Sequence, residues 1–151
     1  MSGSLGRDWL GAHLPHRGAM SLLDEVVSWS AERLHARAVS HASAANPLRL
    51  DGRLPIAIAI EYGAQAAAAH GALAADGTPA NAGFLASVRG VTFHASRLDD
   101  IGAPLDIEVE RAGEGAGAVL YGFRVSAAGR LLAEGRVAIV LDAPLASAGI
   151  A

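Results

Sequence analysis

The sequence contains no cysteine, and all 12 of its basic residues are arginines because it has no lysine. Without cysteine the chain forms no disulfides, no thiolate metal site and no cysteine nucleophile. The arginines are scattered among 15 acidic residues and the formal net charge is -3, so no basic run offers a platform for nucleic acid. Only 18% of the residues are charged while 52% are hydrophobic, which excludes a disordered chain. A packed globular protein is expected.

The length of 151 residues suits one domain, expected to span residues 1–151. No basic start followed by an apolar block marks a secretory signal, so we expect a cytoplasmic protein. The most apolar stretch, residues 54–75, is long enough to cross a membrane, but Glu61 lies within it. Because a carboxylate in mid-span costs about 2.5–3.5 kcal/mol on insertion scales, we interpret the stretch as a buried helix and expect no membrane association.

The apolar pattern predicts strands, then one long helix, then more strands. Two strands are predicted over residues 22–29 and 34–39, followed by a loop from His41 to Leu54. A helix is predicted over Ile56–Ala75, with Pro55 suited to its first position, and its nearly uniform apolar surface indicates that other elements enclose it. The apolar period then becomes two, which predicts strands over residues 84–94, 105–111, 119–126 and 131–141, with a hairpin turn at 127–130. This order predicts an α+β fold in which an antiparallel sheet wraps one long helix.

Two segments carry a resemblance to a known family. They are residues 14–26 (LPHRGAMSLLDEV) and residues 60–66 (IEYGAQA). Together with the order of elements, they resemble the hotdog-fold 3-hydroxyacyl-(acyl carrier protein) dehydratases. With residues 45–49 (ANPLR) and 70–71 (HG) added, the sequence looks most similar to the dehydratase-like proteins of aryl-polyene biosynthesis clusters.

The resemblance implies a reaction and its participants. The reaction is dehydration of a 3-hydroxyacyl thioester on an acyl carrier protein to the trans-2-enoyl thioester, with His41 as base and Glu61 as acid. In the family each site joins the histidine of one subunit to the acid of the other, which implies a homodimer or a hotdog heterodimer. No resident cofactor is implied, because the phosphopantetheine arm arrives with the substrate. No metal site is expected, since His13, His35 and His94 lack ligand-like spacing.

The chemistry of the residues supports these two roles. One group must take the proton beside the thioester carbonyl and another must protonate the departing hydroxyl, and a histidine and a carboxylic acid suffice. Glu61 lies in the most apolar segment, where an acid seldom occurs without a partner or a function. The alternatives are a hydrogen-bonded core acid or an acid at a dimer interface for Glu61, and a loop histidine at an exposed strand end for His41.

Further residues are candidates for substrate binding. Gln65 lies one helical turn beyond Glu61 on the same face, and its alternative is an ordinary polar residue at a helix interface. Ile56 replaces a family glycine whose backbone N–H helps to hold the thioester carbonyl. The separation of 20 positions between His41 and Glu61 is longer than in the family.

Small residues follow the same helix face as Glu61. The stripe comprises Ala57, Ala64, Ala68, Ala72 and Ala75. We hypothesise that it leaves a slot for a thin acyl chain, so that Ala64→Phe or Ala68→Phe shortens the accepted chain. The alternative explanation is composition alone, since 34 residues are alanine.

Two other functions stay open at this point. A hotdog thioesterase would use the same helix acid to direct water at the carbonyl and would release free thiol. A structural subunit of a hotdog heterodimer would support an active partner, consistent with the longer loop and with Ile56. In the family the histidine corresponding to His16 is mainly architectural, and we expect the same here.

Overall fold

The computed structural model describes residues 4–14, 18–74, 83–115 and 117–141. The described residues form two α-helices, six strands and short 3-10 turns. In chain order the helices and strands are α1 (Arg7–His13), β1 (Glu25–Trp29), β2 (Arg33–Ala38), α2 (Ala59–Ala74), β3 (Gly83–Phe93), β4 (Leu105–Gly115), β5 (Ala118–Ala127) and β6 (Arg130–Leu141). The 3-10 turns are Gly18–Met20, Ser40–Ala42 and Ile56–Ile58.

The six strands form one antiparallel sheet in the order β1-β2-β4-β5-β6-β3. Strand β3 follows α2 in the chain but lies at the far edge of the sheet. Helix α2 packs against β2, β3, β4, β5 and β6. The predicted α+β hotdog fold, a sheet around one long helix, is therefore confirmed.

Strand β4 shows how the sequence pattern creates the core. Leu105, Ile107 and Val109 are buried, while the acidic residues between them are more exposed. This is the alternation that the period of two predicts, since successive side chains of a strand point to opposite faces. The strand extends to Gly115 instead of ending at Arg111, with an irregularity in register after Arg111.

The predicted hairpin between β5 and β6 is confirmed. Ala127 pairs with Arg130, and the two residues between them have positive φ angles, 50° for Ala128 and 80° for Gly129. Positive φ at both central positions is the type I′ geometry, which matches the twist of the paired strands.

Helix α2 is buried on nearly all sides, as its uniform apolar surface predicts. Every residue from Tyr62 to Ala72 is buried. The predicted helix over Ile56–Ala75 corresponds to the turn Ile56–Ile58 followed directly by α2, and Ala75 lies outside the described residues. Pro55 is extended, with ψ of 150°, and so flanks the first turn instead of opening it.

Gly63 allows α2 to approach β5 closely. A Cβ atom added at Gly63 would lie 2.7 Å from Cγ of Phe123, whose ring is itself buried. A glycine inside a helix ordinarily lowers its stability, so this one is explained by packing and not by propensity. The glycine of the IEYGAQA segment is thus part of the fold.

The structure also contains elements that the sequence pattern did not predict. Helix α1 spans only seven residues and has no side-chain cap at Gly6, so it lacked a clear start signal. It buries Leu10 and contacts α2. Strand β1 begins at Glu25 and not at residue 22, although Leu22 and Leu23 are fully buried.

We expect Gly63→Ala to lower the free energy of unfolding. Overpacking typically costs about 1–3 kcal/mol, and the higher helix propensity of alanine returns at most about 1 kcal/mol. Gly122→Ala is the matched control, because a Cβ at Gly122 meets no atom within 4 Å. Urea unfolding of both variants measures the difference. A Gly63→Ala protein as stable as the control would contradict the close contact with Phe123.

Candidate active site

His41 lies in the 3-10 turn that follows β2, and it is 1% exposed. Its Nε2 atom lies 3.1 Å from the carbonyl oxygen of Ile101 and 3.0 Å from that of Ala103. Because carbonyl oxygens only accept hydrogen bonds, Nε2 carries a proton and donates to both. The Nδ1 atom is buried and has no hydrogen-bond partner among the described residues.

This environment favours the neutral ring. Burial, the largest effect, lowers the pKa of His41 below the ordinary histidine value, and the positive charge of Arg49 acts in the same direction. The two carbonyls and the carboxylate of Asp24 raise the pKa of His41, but they do not outweigh burial. A neutral imidazole with its proton on Nε2 carries its lone pair on Nδ1, as a general base requires.

The backbone around His41 is held by polar side chains that the sequence analysis did not single out. Arg49 donates to the carbonyl oxygen of His41 at 3.2 Å and to that of Gly52 at 2.7 Å. Asp24 accepts a hydrogen bond from the backbone N–H of Val39 at 2.6 Å. The contact between Arg49 and His41 fixes the loop that follows the turn. The sequence signal for Arg49 is the segment ANPLR, which only the family resemblance distinguishes from an ordinary loop.

Glu61 occupies the first turn of α2 and is partly exposed in the single chain. Its carboxylate makes no hydrogen bond or ion pair with the described residues. In particular, it is not bonded to His41 of the same chain. Within one chain, therefore, the two predicted catalytic side chains make no direct hydrogen bond with each other.

Ile56 and Ala57 lie in the turn that precedes α2. The N–H of Ile56 donates to the carbonyl oxygen of Ser96 at 3.1 Å, and its side chain joins the core. The N–H of Ile56 is thus already used in a backbone hydrogen bond and is not free to bind a thioester carbonyl. Ala57 is the exposed residue of the turn.

Gln65 is 1% exposed and bonds to the backbone at both ends of its amide. Its Oε1 accepts from the N–H of Leu22 at 2.9 Å, and its Nε2 donates to the carbonyl oxygen of Met20 at 2.8 Å. In this chain Gln65 therefore anchors the segment before β1, which corresponds to the alternative interpretation of a polar residue at a helix interface.

The alanine stripe does not form one continuous open surface in the single chain. Ala57 is exposed, whereas Ala64 and Ala68 are 7% and 2% exposed and belong to the core. A hollow of about 980 Å³ lies elsewhere, among charged side chains of β2, β4, β5 and β6, and neither His41 nor Glu61 lines it.

One loop, residues 94–104, supports both the start of α2 and His41. Besides the bond from Ile56 to Ser96, the N–H of Leu54 donates to Asp99 at 2.8 Å. The guanidinium of Arg97 beside it holds the pKa of Asp99 well below its usual range. The same loop supplies the two carbonyl oxygens that bind His41.

Among the described residues, no cluster of three or more histidine, aspartate or glutamate side chains is placed to hold a metal ion. In the same residues, no helix is both long and apolar enough to span a membrane. His16 lies outside the described residues.

The family profile described as ApeP-like, ApeP dehydratase, matches residues 10–148. The chain belongs to the ApeP-like dehydratase family. No curated protein matches the sequence.

Solved structures resemble the fold of this family member. The ApeI:P dehydratase heterocomplex of Xenorhabdus doucetiae matches with a TM-score of 0.78 and 22% identity, over 93% of this chain and 95% of that one. AziG of S. sahachiroi matches with a TM-score of 0.55 and 20% identity, over 80% and 90%. Zebra fish thioesterase superfamily member 2 matches with a TM-score of 0.62 and 14% identity, over 89% and 94%. At these identities the likeness concerns the fold alone.

We expect the stability of the protein to fall as the pH drops below 6.5, the ordinary pKa of histidine. Burial lowers the pKa of both His41 and His70. On acidification below pH 6.5 these histidines therefore become protonated in the unfolded chain before they do so in the folded chain. This contribution to stability is complete above pH 6.5 and is lost on acidification by up to about 1.4 kcal/mol per pH unit for each histidine.

Urea unfolding between about pH 7.5 and pH 5 measures this dependence. The variants His41→Gln and His70→Gln should each have a smaller slope than the parent chain. Stability that rises on acidification through this range would contradict the buried, neutral state of the two rings.

Proposed function

We propose that the protein dehydrates 3-hydroxyacyl thioesters carried by an acyl carrier protein to trans-2-enoyl thioesters, in biosynthesis of the fatty-acid or aryl-polyene type. Membership of a dehydratase family supports the class of reaction. The observation that carries the proposal is the state of His41: two carbonyls fix the proton on Nε2, and Nδ1 keeps a lone pair without a partner.

In the proposed reaction, Nδ1 of His41 takes the proton from the carbon beside the thioester carbonyl. The electrons of that C–H bond form the new C=C bond, and the bond to the 3-hydroxyl breaks. Glu61 gives its proton to the departing hydroxyl, which leaves as water. The two carbonyl oxygens that accept from the ring and the negative charge of Asp24 all raise the pKa of His41, so they stabilise the positive charge that develops on the ring.

We infer that a second chain completes the site. The single chain does not join His41 to Glu61, and β3 forms an edge of the sheet. This edge strand exposes Leu85, Val88 and Phe93, between 37% and 42% each, and an unpaired edge is suited to pairing with another strand. In the proposed dimer two β3 strands pair, and each site takes His41 from one chain and Glu61 from the other, or from a hotdog partner.

The substrate arrives on its phosphopantetheine arm, so the proposed reaction needs no resident cofactor. The residues Ala57, Ala64 and Ala68 remain the proposed positions along which the acyl chain runs. Because Ala64 and Ala68 are buried in the single chain, this path opens only when the elements that cover α2 shift or a partner chain binds.

A second candidate function is that of a structural subunit in a heterodimer with an active hotdog partner. The observations that favour it are the closure of Nδ1 of His41 from solvent and the use of the Ile56 N–H by Ser96. The ApeI:P dehydratase of Xenorhabdus doucetiae is a heterocomplex. In that case the buried His41 and the hydrogen-bonded Ile56 would stabilise the fold of the supporting chain and take no part in catalysis.

A single assay separates the candidate functions. Purified protein is incubated with a 3-hydroxyacyl-(acyl carrier protein), and enoyl product and free thiol are both measured. Enoyl product without thiol is the expected result. Free thiol would indicate a thioesterase. Enoyl product that appears only with an added partner chain, and that survives His41→Ala in this chain, would indicate a structural subunit.

We expect His41→Ala and Glu61→Gln each to lower the turnover number by about 10²- to 10⁴-fold, the usual contribution of a general acid or base. His35→Gln is the control, because the His35 ring pairs with Asp106 and faces the hollow on the sheet, which neither His41 nor Glu61 lines. Steady-state kinetics of the three variants measure the effect. Full turnover in either His41→Ala or Glu61→Gln would exclude the assigned roles.

A further inference from the structure

The side chain of Tyr62, the residue after Glu61, reaches the turn that carries His41. Tyr62 is fully buried, and its hydroxyl lies 2.7 Å from Oγ of Ser40 and 3.5 Å from Nδ2 of Asn46. Ser40 directly precedes His41, and Asn46 lies in the loop that follows it. The hydroxyl therefore contacts the chain on both sides of the proposed base.

The direction of each hydrogen bond follows from its donors. Ser40 gives its only hydroxyl proton to the carbonyl oxygen of Leu22, at 2.7 Å. Tyr62 must therefore donate to Ser40, and the amide of Asn46 donates to Tyr62. The same amide donates to the carbonyl oxygen of Ser40 at 3.0 Å. Burial raises the pKa of Tyr62, so its hydroxyl keeps the proton that this chain of bonds requires.

We propose that Tyr62 is a positioning residue whose hydroxyl ties the turn carrying His41 to α2 and so sets the direction of Nδ1. The catalytic part of this inference rests on the proposed dehydration. The structural part, the orientation of the His41 ring, does not.

The contribution of the Tyr62 hydroxyl can be separated from that of its aromatic ring by substitution with phenylalanine. A phenylalanine would fill the same volume in the core, and it would need no buried polar partner. What the hydroxyl adds is a fixed link from the helix to Ser40 and Asn46. Because a general base works only when its lone pair meets the proton, a small displacement of the turn affects catalysis more than it affects packing.

The chain offers a matched control in its other tyrosine. Tyr121 is also fully buried, and its hydroxyl donates to Nδ1 of His70 at 2.8 Å, since Nε2 of His70 donates to the carbonyl oxygen of Ser30. Tyr62→Phe and Tyr121→Phe therefore each remove one buried hydroxyl, but only the first removes a link to the His41 turn.

The first test is an NMR titration of the His41 ring in both variants, without substrate. We expect Tyr62→Phe to raise the pKa of His41 toward the ordinary histidine value and to shift its ring ¹⁵N resonances, because the loosened turn admits water. Arg49 and Asp24 remain as the neighbouring charges in every variant. In Tyr121→Phe the His41 signals should not move. Unchanged His41 signals in Tyr62→Phe would overturn the proposal.

The second test is kinetic. We expect Tyr62→Phe to lower kcat by about tenfold or more with KM little changed, because the displacement affects the reacting geometry and not the binding of the acyl chain. Tyr121→Phe should retain the parent kcat. The double variant Tyr62→Phe/Ser40→Ala should be no slower than the slower single variant, since both break the same link. Additive losses in the double variant would overturn the proposal.

The two tests keep this inference apart from the proposed function. If the parent chain releases no enoyl product either alone or with a hotdog partner, the dehydration is rejected while the NMR titration still decides the orienting role of Tyr62. If kcat falls in Tyr62→Phe but the His41 signals do not move, Tyr62 acts by another route and the positioning role is rejected.

Discussion

Two backbone carbonyl oxygens, those of Ile101 and Ala103, determine the chemical state of the proposed site. They hold the proton of His41 on Nε2, while burial keeps the ring neutral and leaves Nδ1 without a partner. The loop that supplies these carbonyls also anchors the start of α2 through Ser96 and Asp99. A single loop thus fixes the proposed base and the helix that carries Glu61.

The rest of the fold supports this arrangement with buried polar contacts. Helix α2 consists mostly of alanine and glycine, so it has few large side chains with which to pack against the sheet. Gly63 allows its backbone to lie close to Phe123. Gln65 and Tyr62 join the helix to the segments before β1 and after β2. A helix of small apolar residues therefore gains its fixed position from a few hydrogen bonds and one close backbone approach.

Much of the fold could be predicted from the sequence because its signals are local. The alternation of Leu105, Ile107 and Val109 identified β4, and the apolar segment around Glu61 identified the buried helix. Helix α1 was missed because it is short and begins without a side-chain cap. The resemblance singled out His41 and Gln65, but only the structure shows that both ends of the Gln65 amide bind backbone. Contacts such as that of Tyr62 with Ser40 join positions far apart in the chain and leave no periodic signal.

The tautomer of His41 is the central claim, and two-bond ¹H–¹⁵N correlation NMR of its imidazole at neutral pH measures it directly. The structure predicts a neutral ring with the proton on Nε2 and an unprotonated Nδ1. A proton on Nδ1, or a doubly protonated ring at neutral pH, would contradict the arrangement on which the proposed dehydration depends.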